Sequence, residues 1–202
     1  MSKVFKALFV VIGIFCLTTI SQAEVTVGQP APVFTLQSTD GKSHSLVDFK
    51  GKFVVLEWFN HGCPFVQKHY GSGNMQNLQK EYIEKDVIWL SINSSAEGKQ
   101  GHYSPEEANR INQEKGASPM AVLLDADGTV GKLYGAKTTP HMFVINPEGI
   151  LIYQGAIDSI ASVDQSEISQ ATNYVKQALD EAMAGKPVSV STTKSYGCSV
   201  KY

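Results

Sequence analysis

The chain has 202 residues, 43% of them hydrophobic and 18% charged, with a formal net charge of −2. That is enough apolar material for one sizeable core, and the length argues against two full domains. It carries no basic block and Arg110 is its only arginine, which argues against nucleic-acid binding and arginine-based phosphate recognition.

The first residues read as a leader. Lys3 and Lys6 precede an apolar run from Ala7 to Ile20, and Ser21-Gln22-Ala23 is a small-residue cleavage signal. Those 14 apolar residues fall short of the roughly 20 that a spanning helix needs, so no stable membrane anchor is expected. Residues 1–23 are therefore predicted to be a signal peptide, and the protein to be exported, periplasmic or secreted. Losing Lys3 and Lys6 would move the net charge from −2 to −4. The mature chain would keep two cysteines, Cys63 and Cys198, in a compartment where disulfides persist. Spacing alone leaves open whether they pair.

After a proline-broken entry, Phe34-Thr35-Leu36 and Ser43-His44-Ser45-Leu46 alternate around an Asp-Gly turn, which predicts a β-hairpin. Phe53-Val54-Val55-Leu56 reads as a buried strand. It leads to Trp58-Phe59-Asn60-His61-Gly62-Cys63-Pro64, where Pro64 suits the first position of a helix. Cys63 thus falls at a strand-to-helix junction. Unpaired N–H groups and the helix dipole there favour a thiolate, the reactive form of cysteine. Asn60 and His61 flank it and are candidates to donate hydrogen bonds to a bound oxygen or to the thiolate.

The helix from Pro64 is interrupted at Gly71-Ser72-Gly73. Asn74 is expected to cap a second piece, with Met75, Leu78 and Tyr82 on one face. Val87 to Ile92 is the next strand, and Ser94 to Gly101 a polar loop. Ser104-Pro105-Glu106-Glu107 starts a helix running to about Lys115. Ala121 to Leu124 is a short strand, and Asp125-Ala126-Asp127-Gly128 a turn that lacks the further ligands of a calcium loop. Lys132 to Tyr134 should be helical. His141 to Ile145 and Ile150 to Gln154 should pair across the Asn146–Gly149 turn. Ile168, Ala171, Val175, Leu179 and Met183 mark one face of a last amphipathic helix. A Ser/Thr-rich tail follows, ending in Gly197-Cys198-Ser199-Val200-Lys201-Tyr202. The pattern predicts an α/β fold: a mixed sheet with helices on both faces over residues 24–185, then a tail, 186–202, carrying Cys198 on a flexible arm.

From about Val27 to Ala184 the chain resembles a thioredoxin-fold redoxin of the alkyl hydroperoxide reductase/thiol-specific antioxidant superfamily, the peroxiredoxin-like branch. The resemblance rests on Cys63 at its junction, on Thr138-Thr139-Pro140 before a strand, and on Ile145-Asn146-Pro147-Glu148-Gly149 as the hairpin turn. It implies that Pro140 is a cis-proline facing Cys63, that backbone groups of Thr139 pair with an extended substrate, and that Glu57 is a buried acid assisting proton transfer. The tail resembles members ending in Gly-Cys-Ser, and on this reading Cys198 resolves oxidised Cys63, from its own chain or across a homodimer.

The departures from the family pattern are specific. Val66 stands where thioredoxins have their second cysteine. Asn60 and Leu56 stand where peroxiredoxins have a threonine and a proline, and Pro140 or its neighbours replace their arginine. The expected function is thiol-dependent peroxide reduction by Cys63. The alternatives are thioredoxin-type disulfide exchange and a redox-silent or metal-binding module. The substrate would be a peroxide or disulfide, with an external thiol as reductant. No cofactor is expected, and the His61, Cys63 and His69 spacing matches no recognised metal motif.

Overall fold

The computed structural model describes residues 25–202, so the expected leader at 1–23 lies outside the described residues. In chain order the elements are β1 (Thr35–Ser38), β2 (Ser43–Ser45), β3 (Val54–Trp58), α1 (Pro64–Gly71), α2 (Asn74–Ile83), β4 (Ile88–Asn93), α3 (Pro105–Glu114), β5 (Ala121–Leu124), α4 (Thr129–Tyr134), β6 (Thr138–Thr139), β7 (His141–Ile145), β8 (Leu151–Gly155), α5 (Tyr174–Met183) and β9 (Cys198–Ser199).

Seven strands form one mixed sheet in the order β2-β1-β5-β4-β3-β7-β8. β3, β4 and β5 run parallel, joined by helical crossovers, while β7 and β8 pair antiparallel beyond β3. β3 is central: Leu56 lies opposite Leu90 on one side and Phe143 on the other. All five of its residues are buried, which accounts for its nearly unbroken apolar run.

Alternation along the strands feeds two cores. Val55, Trp89 and Val144 face Val66 and Tyr70 of α1, Leu78 and Tyr82 of α2, and Val175 and Leu179 of α5. Leu56, Trp58, Leu90 and Phe143 face the other way, against Phe34, Val130 and Tyr134. Trp58, Tyr134 and Phe143 pack there with ring centroids 5.1 to 5.5 Å apart. Helices on both faces and a mixed sheet agree with the expected architecture.

Four local expectations change. Gly73, at φ +78°, occupies the cap of α2; Asn74 is its first residue and turns its side chain to His69 instead. α4 starts at Thr129, three residues before the expected start at Lys132, because the buried Asp125 carboxylate accepts from the N–H groups of Val130 and Gly131. Ile168 and Ala171 are not on the last helix. Ala171 is extended, the chain pairs back through Ser159 N–H to Thr172 O, and Asn173 caps α5 by accepting from Lys176 N–H. The tail is not a free arm either. It runs beside β8 at Thr192, and β9 then pairs antiparallel with β6, Cys198 opposite Thr139 and Ser199 opposite Thr138.

Candidate active site

β3 ends at Trp58, and the chain turns sharply before α1. Cys63 N–H closes this turn on Asn60 O at 2.9 Å, and Asn60 Oδ1 accepts from Gly62 N–H at 2.8 Å. Cys63 is the cap residue of α1, in extended backbone, with Pro64 at the first helical position. The turn thus delivers the thiol to the end of the helix where N–H groups are unpaired.

The thiol is 1% exposed. Its Sγ donates to Thr139 O at 3.1 Å, and the Thr139–Pro140 bond is cis. Facing it from the tail is Cys198, half-buried, and both cysteines are free thiols. Burial opposes ionisation of Cys63 most strongly. It is outweighed by hydrogen bonding from the Cys198 thiol, from Thr139 and from the backbone N–H of Val66, so the Cys63 pKa lies below the ordinary thiol value. Cys198 goes the other way, pushed up to about 11 by burial and then by Cys63. Of the pair, Cys63 is the more acidic thiol and Cys198 the one that donates a hydrogen bond to it.

The other expected site residues divide. The Thr139 carbonyl meets the thiol and is joined to Pro140 by the cis bond, and Thr139 Oγ1 also donates to Cys198 O at 3.5 Å. Glu57 is fully buried on β3 and accepts from Tyr70 Oη, Trp89 Nε1, Ser91 Oγ and, at 3.4 Å, Gln79 Nε2. Burial raises its pKa and these donors lower it, with burial the larger effect. Those four bonds tie α1, α2 and β4 to β3. Asn60 Nδ2 donates to Gln100 and holds the loop after β4. His61 Nε2 meets Asn112 Oδ1 of α3 at 3.0 Å, and burial lowers its pKa. Asn60 Nδ2 and His61 Nε2 are thus engaged with Gln100 and Asn112, while Asn60 Oδ1 braces the turn at Gly62.

No group of three or more His, Cys, Asp or Glu among the described residues is arranged to hold a metal ion. Sequence reasoning missed Gly197 and Tyr196. Gly197 sits at φ +132° so close to Thr139 that a Cβ would collide with its carbonyl oxygen. Tyr196, next to it, donates its hydroxyl to buried Asp158. The one available signal was the glycine before Cys198.

Residues 27–154 match the AhpC/TSA family. The chain belongs to the AhpC/TSA family. Within this redoxin's match, the thiol-disulfide oxidoreductase ResA of Bacillus subtilis is 30% identical over 128 residues, 63% of this chain and 66% of that protein. A Coxiella burnetii protein named as the peroxiredoxin bcp is 28% identical over 127 residues, 62% of this chain and 77% of that one. A solved structure of an uncharacterized conserved protein from Geobacillus kaustophilus superposes with a TM-score of 0.75 at 27% identity, covering 88% of this chain and 92% of that one. That share exceeds the 128 residues of the family match, so the structural likeness extends beyond the redoxin core. The fold is thioredoxin-like, and the redoxin is a thiol-dependent oxidoreductase.

Proposed function

We propose that this redoxin is an exported thiol–disulfide oxidoreductase in which Cys63 is the nucleophile and Cys198 of the same chain the resolving thiol. The observation that carries the reading is the β6–β9 pairing, which sets Cys198 opposite the residue whose carbonyl touches the Cys63 thiol. The Cys63 thiolate attacks a disulfide R–S–S–R′, forming Cys63–S–S–R and releasing R′–S⁻. Cys198, giving up its proton, then attacks Cys63 Sγ and expels R–S⁻. Two protein thiols are oxidised and one disulfide is reduced; an external thiol reverses the change. Its placement as an exported protein rests on the leader pattern at 1–23.

The hydroperoxide reading is supported by the peroxiredoxin-named relative and by the single cysteine before Pro64. It ranks second because the Asn60 and His61 side chains, expected to hold a bound oxygen, are engaged with Gln100 and Asn112. The test treats the reduced mature protein with one equivalent of glutathione disulfide or hydrogen peroxide, followed by intact mass and non-reducing peptide mapping beside Cys198→Ser. A Cys63–Cys198 linkage within a monomer-mass species, formed faster with the disulfide, is expected. Faster formation with peroxide would reverse the ranking. Two thiols left free by both oxidants would end the redox-pair reading.

A further inference from the structure

The thiol chemistry makes no use of a buried ionisable cluster that lies beneath the tail. Lys68 and His69 of α1 and Asp158, three residues past β8, are each at least 97% buried. Lys68 Nζ donates to Ile160 O at 2.9 Å and sits 3.5 Å from Asp158 Oδ2. A buried ion pair is favourable only when its remaining donors and acceptors find partners. Asp158 Oδ1 accepts from Ile160 N–H at 3.1 Å and from the Tyr196 hydroxyl, whereas Oδ2 has no hydrogen-bond donor. Asn74 Nδ2 lies 2.9 Å from His69 Nδ1 and donates to it, so the His69 proton is on Nε2, 3.3 Å from the Tyr196 oxygen. The Tyr196 hydroxyl therefore accepts from His69 and donates to Asp158. Its ring packs edge-on against Phe65, 5.7 Å away.

The path of the tail shows what this hydroxyl holds. Thr193 is fixed beside β8, where its Oγ1 accepts from Ala156 N–H at 2.9 Å. Lys194 and Ser195 then pass between two cavities, of about 570 and 390 Å³, that both residues line. Lys194 is exposed and Ser195 half-buried; Tyr196 follows, two residues before Cys198. Beyond Cys198 the tail is held by a two-residue strand, by Val200 N–H to Lys137 O and by the Tyr202 hydroxyl to Ala136 O.

We propose that Tyr196 is the positioning residue of the redox pair: its hydroxyl, fixed between Asp158 and His69, latches the tail so that Cys198 stands against Cys63. The proposal rests on the Cys63–Cys198 pairing above. The latch raises the effective concentration of Cys198 at Cys63 without touching either sulfur. It acts on the second step, in which Cys198 displaces the leaving thiolate from Cys63.

The experiment adds glutathione disulfide to the reduced mature protein and follows, by acid quench and mass spectrometry, the Cys63–glutathione mixed disulfide and its conversion to Cys63–Cys198. Tyr196→Phe keeps the ring against Phe65 and removes only the hydroxyl. Resolution is expected to slow at least ten-fold, the low end for a hydrogen bond to a charged group, so the mixed disulfide accumulates. Tyr82→Phe is the control: it removes the Tyr82–Asp180 bond of 2.8 Å, away from the tail, and should lower stability with no change in resolution. Hydrogen exchange on the same variants should show protection lost in Tyr196→Phe at residues 197–200 and kept in β3. Resolution at the wild-type rate, an equal slowing in Tyr82→Phe, or loss of protection in β3 as well would overturn the latch. Absence of any Cys63–Cys198 linkage in the wild type would instead overturn the pairing on which it rests.

Discussion

Cys63 is acidified against its own burial. Removing a thiolate from water is the largest influence on it, and the Cys198 thiol, Thr139 and the Val66 N–H together reverse that influence. The strongest opposing neighbour is thus a residue from the other end of the chain. Cys198→Ala removes that donor while leaving the α1 N-terminus intact, so the Cys63 titration should move up toward the ordinary thiol value. Thiolate absorbance near 240 nm, followed against pH, checks this. In the wild type the first thiol ionises below the ordinary value and the second near pH 11. A Cys63 midpoint unchanged by Cys198→Ala would mean that the helix end alone sets its acidity. The sequence exposes half of this arrangement. A buried strand, a glycine and a proline around Cys63 announce a helix-end thiol, because those signals are local. The partner cysteine is named only by the resemblance of the Gly-Cys-Ser tail, since nothing local to Cys198 states which surface it meets.

The tail illustrates the same limit for whole elements. β3, β4, β5 and β7 were legible because buried strands are runs of apolar residues, and α3 because its capping serine, proline and acids are adjacent. β9 is two residues long, in a Ser/Thr-rich stretch with no period to read, and is fixed by what it pairs with. The start of α5 failed for a related reason. Ile168 and Ala171 keep helical spacing with Val175, yet backbone pairing of 158–159 with 172–173 takes the chain out of the helix between them. Gly197 is the point where β9 is most exposed to a single change. Its φ of +132° is rarely adopted by other residues, and a Cβ would strike the Thr139 carbonyl. Gly197→Ala should therefore unseat β9 from β6 while Thr193 and the β8 side of the tail stay in place. Hydrogen exchange should show faster exchange at Cys198 and Val200, the tail amides that face β6, and oxidation should yield less Cys63–Cys198 linkage. Full protection at both amides would show that the strand tolerates the extra carbon.

At the level of the molecule, the buried histidines make stability depend on pH over a window that most carboxylates leave alone. Burial pushes the His69 pKa down to about 4, more than Asp158 raises it, and Lys68 adds to the lowering. In the unfolded chain a histidine titrates near ~6.5. As pH falls below that value the unfolded state takes up a proton that folded His69 refuses, so stability present above ~6.5 is lost progressively toward about 4. The proton would go to Nδ1, which faces the Asn74 amide donor, beside Lys68 and with only Asp158 as counter-charge. The full difference, from ~6.5 to about 4, corresponds to about 3 kcal/mol at ~1.36 kcal/mol per pH unit. His61, also lowered by burial, acts with the same sign. Glu57 and Asp125, whose pKa values burial raises, act with the opposite sign, since an acid that stays protonated when folded is favoured as pH falls. The histidine contribution is isolated by difference. Urea unfolding of the wild type and of His69→Gln at pH 7 and pH 4.5 should show the wild type losing about 2 kcal/mol more than the variant between the two values. Parallel losses would place the acid sensitivity elsewhere. A larger loss in the variant would mean that His69 takes up its proton in the folded state.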